Sequence, residues 1–461
     1  MRLNPSTIVL FGLWIVVVGC ISNVLSSTRD DAIYHLNLGV NLQNVGELDK
    51  AIEEYRTAIR LYPDLAEAHF NLGAALSAKG NLDEAIIEYR IAIHLNPNYV
   101  EAHNNLGVKL KDKEDLDGSI AEERMAIRLN PNQAEAHHNL GIALTAKGDL
   151  DEAIMEYHTA IRLAPNQAEA HANLGAALAK KGDFDEAMKE DRIAIRLKPD
   201  LALAYSNLGA ALAKKGDFDG AIEQYRTAIR LNPNLAEFHY NLGIALTAKG
   251  DDDEAIKEFH IATRLNPNMA EPHYNLGILL HNKGDLDEAI EQYRAAIRLN
   301  PNLAEPHTNL GNLLHNKGDL DGAIEQYRAT IRLNPNLEEP HNNLGAALKE
   351  KGDLDEAITE YHTAIRLDPN HAEPHYNLGI LLHNKGDLDG AIEQYRAAIR
   401  LKPNLAEPHY NLAMVLMGKG NKLEAAKEIM EFTILAPNTP TNRHRIDEAN
   451  RQLNKANAPE K

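Results

Sequence analysis

Two rows of side chains able to bond or ligate run through this chain at a fixed step of 34 residues. The first is asparagine, at Asn37, Asn71, Asn105, Asn139, Asn173, Asn207, Asn241, Asn275, Asn309, Asn343, Asn377 and Asn411. A carboxamide carries two N–H donors and a carbonyl acceptor, which suits a peptide main chain regardless of its side chains. Inside a helix asparagine costs about 0.5 kcal/mol relative to alanine, so twelve of them ask for an explanation. Groove contacts to a bound polypeptide are one. The other is that the amides bridge neighbouring units or meet water and were copied by duplication. Windows 270–303 and 372–405 differ only at Glu288 against Gly390 and Asn300 against Lys402.

The second row is histidine, two places earlier: His35, His69, His103, His137, His171, His239, His273, His307, His341, His375 and His409, interrupted by Tyr205. Imidazole ligates metals, but packed helices lie about 8–10 Å apart while zinc needs ligands at about 2 Å. Successive rungs cannot share an ion, so no metal site and no cofactor are predicted. Each ring is expected to pack between helices and donate one hydrogen bond. Nor does a phosphate-binding glycine loop, a carboxylate pair or a nucleophile constellation occur between the rows, so no catalytic residue is assigned.

The elements that must hold these rows follow from the same period. Glycine recurs from Gly39 through Gly379, with Ala413 closing the series, and proline from Pro63 to Pro437. Window 270–303 reads AEPHYNLGILLHNKGDLDEAIEQYRAAIRLNPNL. Its apolar residues Leu276, Gly277 and Leu280 recur at helical steps, and a second stripe, Leu286, Ala289, Ile290, Tyr293, Ala296 and Ile297, follows a break. At the break Gly284 can take the left-handed conformation that ends a helix. Asp285 stands three residues before Glu288, a capping-box spacing, and Asn302 with Glu305 repeats it. Pro301 stops the preceding helix. Gly277 and Ala289 are expected on facing stripes, letting two antiparallel helices come close. One such hairpin cannot bury its stripe alone, so hairpins must stack.

Leucine at the seventh place, glycine at the eighth, alanine at the twentieth, an aromatic at the twenty-fourth and a late proline resemble the tetratricopeptide repeat. The resemblance implies an all-α fold: a right-handed α-solenoid (superhelix) of twelve helix–turn–helix repeats over 32–439. First helices would form the concave face, with a capping helix and tail over 440–461. The letters AEAH-x-NLG and the asparagine row are also similar to the repeats of O-linked N-acetylglucosamine transferases, where such a ladder holds extended polypeptides by their main chain. Departures are few: Glu114 replaces the turn glycine, and Glu123 and Asp191 replace the aromatic. The twelfth repeat loses its stripe at Phe432 and Thr433, and Thr441 to Lys455 form the predicted cap.

The formal charge is −19, from 67 acidic and 48 basic side chains. Counterion-release binding to nucleic acid needs clustered Lys and Arg, and no cluster occurs. Acids gather at helix starts and arginines in last turns, matching the helix dipole. Arg56, Arg90, Arg226 and Arg294 form a row expected on the convex face and paired with nearby glutamates. Protonating all 21 histidines would move the charge from −19 to about +2. On the expected groove the fifth place holds Phe70, Tyr240, Tyr274, Tyr376 and Tyr410, and the twelfth holds His281, His315 and His383. Glutamates at the second place, including Glu67, Glu101, Glu271 and Glu305, make the rim acidic. That disfavours a carboxylate clamp, which needs lysines there, and points to a neutral or basic protein or peptide segment.

Residues 1–25 read as a signal peptide or membrane anchor, followed by a linker over 26–31. Arg2 precedes an uncharged apolar run from Ile8 to Val18, short for a span but normal for a signal core. Val17-Val18-Gly19-Cys20 is similar to the bacterial lipobox, with cleavage before Cys20 and lipidation of that cysteine, the only one in the chain. An uncleaved anchor, or ordinary cleavage near Ser26 and Ser27, also fits. All three place the array at a membrane or in the extracytoplasmic cell envelope.

The expected function is therefore a non-enzymatic scaffold that binds an extended polypeptide in the concave groove through the asparagine ladder. Only 22 residues follow Thr439, too few for a nucleotide-sugar domain. Two alternatives stand beside it: the substrate-recruiting partner of a separate glycosyltransferase, and an assembly factor docking folded partners on its convex face.

Overall fold

The computed structural model describes residues 28–457. The segment containing Cys20 and the last four residues lie outside the described residues. Among the described residues every regular element is an α-helix, and the chain divides into two compact units, up to Asp251 and from Asp252.

The first unit pairs α1 (28–44) with α2 (Leu48–Leu61), α3 (Ala66–Ala78) with α4 (Leu82–Leu95), and α5 (Val100–Asp112) with α6 (Leu116–Leu129). It continues with α7 (Ala134–Lys147) and α8 (Leu150–Leu163), α9 (Ala168–Lys181) and α10 (Phe184–Leu197), α11 (Ala202–Lys214) and α12 (Phe218–Leu231), then α13 (Ala236–Lys249). The second unit opens with α14 (Asp252–Leu265). It then pairs α15 (Ala270–Lys283) with α16 (Leu286–Leu299), α17 (Ala304–Asn316) with α18 (Leu320–Leu333), and α19 (Glu338–Lys351) with α20 (Leu354–Leu367). Last come α21 (Ala372–Asn384) with α22 (Leu388–Leu401), α23 (Ala406–Gly418) with α24 (Lys422–Leu435), and α25 (Pro440–Asn457). Within each unit, successive helices pack in chain order, giving all-α solenoid packing.

Inside most hairpins the glycine of the first helix meets the aromatic of the second, whereas Gly107 meets Glu123 and Gly175 meets Asp191. A Cβ on Gly277 would lie 2.7 Å from the Tyr293 ring, so the missing side chain makes room for a fully buried tyrosine rather than for a facing alanine. Turn glycines adopt the left-handed conformation, Gly284 at φ 87°. Glu114 does the same at φ 63°, the one non-glycine residue with positive φ among the described residues.

The expected capping boxes are not formed. Asp285 makes no side-chain cap bond to α16. Asp115, by contrast, accepts from the Gly118 N–H at 2.9 Å, and Asp217, Asp319 and Asp387 do likewise where glycine stands three residues on. The reason is space: a Cβ on Gly118 would lie 2.5 Å from an Asp115 carboxylate oxygen. Glu288 at that place pushes the aspartate off the amide. Asn302 is no cap either; Leu303 precedes α17 without a side-chain cap, and the Asn302 N–H donates to the Asn300 side chain at 3.2 Å.

Neighbouring hairpins are also tied by charge. From Lys79 onward a lysine before the turn residue reaches the aspartate 30 residues earlier, as in Lys147–Asp117 at 2.8 Å and Lys351–Asp321 at 2.7 Å. Outer arginines pair with the next hairpin: Arg56 with Glu84 at 3.2 Å, Arg124 with Glu152 at 2.6 Å. In the second unit α25 packs Ala449 against Ala413 and Ile429. Arg445 stacks 3.9 Å from the Tyr410 ring centroid while binding Glu407 through both guanidinium nitrogens, at 3.1 and 2.8 Å. Among the described residues no helix is long and apolar enough to cross a membrane.

Candidate peptide-binding groove

Successive first helices touch one another directly. The contacts run α5 to α7, α7 to α9, α9 to α11 and α11 to α13 in the first unit, and α17 to α19, α19 to α21 and α21 to α23 in the second. Among the described residues successive second helices make no comparable contact, so the first helices crowd together on the inner side of each unit.

The asparagine row lies on these first helices. Asn37 is exposed, and the other eleven, from Asn71 to Asn411, are half-buried. Many donate sideways to the preceding first helix. The Asn139 amide donates to the Asn104 carbonyl oxygen at 3.1 Å, Asn173 to His138 Nε2 at 2.8 Å, and Asn207 to the Ala172 main-chain carbonyl at 3.0 Å. Asn377 donates to Asn342 at 3.4 Å, Asn411 to the Tyr376 hydroxyl at 3.2 Å, and Asn343 to Asn312 at 3.1 Å. Asn275 turns back to the Glu271 carbonyl at 3.1 Å. Asn105 and Asn309 interact with the hydroxyls of Tyr89 and Tyr274. Each bond to the preceding helix uses one of the hydrogen-bonding positions an amide possesses. His138 suits its role, because burial lowers its pKa and keeps a lone pair for Asn173.

The histidine row has a different place. His69 Nδ1 lies 2.6 Å from Glu88 and its Nε2 lies 3.0 Å from the Pro63 carbonyl. His103, His137, His171, His341 and His409 repeat the arrangement with Glu122, Glu156, Glu190, Glu360 and Glu428. Glutamine takes the carboxylate's place opposite His273, His307 and His375. These rings tie the two helices of a hairpin to the loop before it. Among the described residues no group of His, Cys, Asp and Glu could hold a metal ion.

Two cavities flank the ladder. In the first unit Ala176, Ala179, Lys180, Phe184, Asn207 and Lys214 line one of about 520 Å³. In the second unit Tyr274, Glu305, Thr308, Asn309, Glu338 and Glu339 line one of about 510 Å³. A cationic side chain suits the second, with carboxylates and an aromatic ring on its walls.

Sequence reasoning missed the fifth-place residue, Asn104, His138 or Tyr376, as the ladder's partner, although its 35-residue offset from the next asparagine is constant. It also missed that Glu123 and Asp191 are fully buried, at 0 % exposure. Burial pushes Glu123 up to about 9, helped by Glu135 and Glu122, and Asp191 up to about 8.

Among solved structures, the chain is similar to the Cut9–Hcn1 hetero-tetramer of APC/C, at 16% identity and TM-score 0.43 over 91% of this chain and 96% of that one. Yeast Tom70 follows at 17% and 0.36 over 92% and 96%. YrrB, described as a TPR protein with an unusual peptide-binding site, is 26% identical at 0.38 over 42% and 97%. None of the curated proteins compared with the chain matches it. The TPR repeat model matches residues 44–80, 75–112, 143–182, 177–216, 211–250, 244–284, 279–318, 311–352, 347–386 and 381–420, and a second tetratricopeptide repeat model matches 124–155. With these matches spanning most of its length, the chain belongs to the tetratricopeptide-repeat family.

Proposed function

We propose that the inner face of the first helices holds an extended, neutral or basic polypeptide segment by its main chain, and that the protein is a scaffold without an activity of its own. Proteins of this family mediate protein–protein interaction. The observation that carries the finer reading is the half-buried row of carboxamides from Asn71 to Asn411. Those that bond sideways, such as Asn139 and Asn207, are fixed by those bonds yet retain hydrogen-bonding capacity for a strand. Pre-fixed amides lose little freedom on binding, which favours affinity. The likeness to the repeats of O-linked N-acetylglucosamine transferases supports the same mode of capture, and the carboxylates and Tyr274 of the second unit's cavity support the charge preference.

The test uses a fluorescein-labelled alanine–serine peptide bearing lysines, with an N-methylated twin that lacks main-chain donors. Anisotropy should report binding of the first and about tenfold or greater weakening for the second. Asn71→Ala with Asn241→Ala should weaken binding while leaving helical circular dichroism unchanged. Equal binding of both peptides, or capture unaffected by the substitutions, would remove the groove reading. The tether belongs to the same proposal: Cys20 carries lipid and holds the array at a membrane or in the cell envelope. Palmitate incorporation lost in Cys20→Ala supports this, and incorporation that persists removes it.

A further inference from the structure

The hairpin α5–α6, where Glu123 stands in place of an aromatic, opens a cavity beside that residue. In some other hairpins the tyrosine hydroxyl reaches the inner side chains of its own first helix, Tyr157 to Thr145 at 3.2 Å and Tyr327 to Asn312 at 2.8 Å. Glu123 does not extend so far. A cavity of about 100 Å³ results, lined by Val108, Lys111, Ser119, Glu123, Asn139 and Ile142. Glu123 and Ser119, at 0 % and 1 % exposure, belong to its buried side, and the other four residues are half-buried around it. Among the described residues neither carboxyl oxygen of Glu123 has a hydrogen-bond partner. A buried, unpartnered carboxyl costs free energy that a matching donor would recover.

We propose that this cavity is a slot for the ammonium group of a lysine side chain carried by the bound segment, with Glu123 as its counter-ion. The inference rests on the groove reading for the origin of the lysine, not for the chemistry of the slot. The cavity's volume is close to that of about three water molecules, room for an ammonium head and part of its stem. The Asn139 carboxamide, anchored to Asn104 by its N–H, retains a carbonyl oxygen as an acceptor, and the Ser119 hydroxyl is another. Facing charges favour a cation. Glu135 from α7 and Glu122 from α6 both act on Glu123. Glu122 is held by His103, and Lys111 from α5 is paired with Asp112 at 3.0 Å. The cavity beside the α9–α10 hairpin is larger and lined by Lys180 and Lys214 but not by Asp191, and a cation avoids it.

Binding is coupled to a proton. Near neutral pH burial keeps Glu123 protonated, whereas the arriving amine is already an ammonium. Pairing the two sends the carboxyl proton to solvent.

Calorimetric titration of the full chain with n-butylammonium chloride at neutral pH, in two buffers of different ionisation enthalpy, tests the slot. Saturable binding should release close to one proton per amine. Glu123→Gln should weaken it by about tenfold or more and abolish proton release. Glu123→Tyr, which restores the side chain of neighbouring hairpins, should eliminate binding, and tetramethylammonium, which has no N–H, should not bind. Unsaturable binding, equal affinity in wild type and Glu123→Gln, or no proton release would each overturn the proposal. A peptide arm separates the slot from the groove: the alanine–serine peptide is compared with a norleucine version lacking the ammonium. If the amine binds and neither peptide does, the slot stands and the groove reading falls. If both peptides bind equally, the groove stands and the slot falls.

Discussion

At the scale of single residues, the asparagine row divides into amides that also hold the array together and amides that do not. Asn139 donates to Asn104 across two first helices, so Asn139→Ala should cost about 1 kcal/mol in chemical denaturation. Asn71 makes no side-chain bond of that kind, and Asn71→Ala should stay within about 0.5 kcal/mol of wild type, alanine's helix propensity offsetting what is lost. Equal costs at both positions would mean the row is uniform in role. The histidines carry a pH dependence of definite sign. His69 has a carboxylate or carbonyl oxygen beside each nitrogen, an arrangement that favours the protonated ring. Burial opposes that charge, but the bonds to Glu88 and the Pro63 carbonyl outweigh it and raise the pKa; His103 behaves alike with Glu122 and Pro97. A raised histidine contributes its full stability below the unfolded value of about 6.5 and loses it as pH climbs through the folded value. The denaturation midpoint of the first unit should fall between about pH 5.5 and about pH 8.5. Glu88→Gln should shrink that fall.

At the scale of the element, the turn between α5 and α6 carries a cost the other turns avoid. Glu114 sits at φ 63°, where a Cβ crowds the following carbonyl. Glu114→Gly should stabilise the protein by about 1 kcal/mol, seen as a higher urea midpoint with unchanged slope. Helix starts differ too: Asp115→Ala should cost about 1 kcal/mol, because its carboxylate caps Gly118, whereas Asp285→Ala should cost only about 0.3 kcal/mol. These contrasts mark what was legible beforehand. The hairpin was, because it depends on short-range spacing: the stripes through Gly277 and Ala289 lie on adjoining helices and Gly284 is local to its turn, although the ring that Gly277 admits, Tyr293, was not foreseen. The left-handed site at Glu114 was legible by alignment with the other windows. The capping at Asp285 was not, since a spacing rule does not say whether Glu288 leaves room for the aspartate. Bridging of neighbouring units by the ladder was one of two readings, but its partners were not legible, since they depend on how far one first helix is offset from the next.

At the scale of the whole molecule, a stacked array opens locally, because each hairpin contacts only its neighbours. Its weakest points are therefore set by single hairpins. In the second unit, Tyr293, Tyr327, Tyr361 and Tyr395 are all fully buried against their hairpins. In the first unit, α5–α6 and α9–α10 bury Glu123 and Asp191 instead. Burial raises the former to about 9 and the latter to about 8. A raised carboxyl favours the folded state's neutral form, so its contribution is intact below the ordinary carboxylate range and drains away as pH rises toward those values. Hydrogen exchange, corrected for intrinsic rates, should then show α5–α6 and α9–α10 losing protection relative to α7–α8 between about pH 5.5 and about pH 8.5. The second unit's hairpins should change far less. Glu123→Tyr with Asp191→Tyr should level the first unit and add about 2 kcal/mol for each site near neutral pH. Protection that declines evenly along both units would show that the buried carboxyls do not govern where the array opens. It would also remove the physical cost that makes Glu123 a waiting counter-ion.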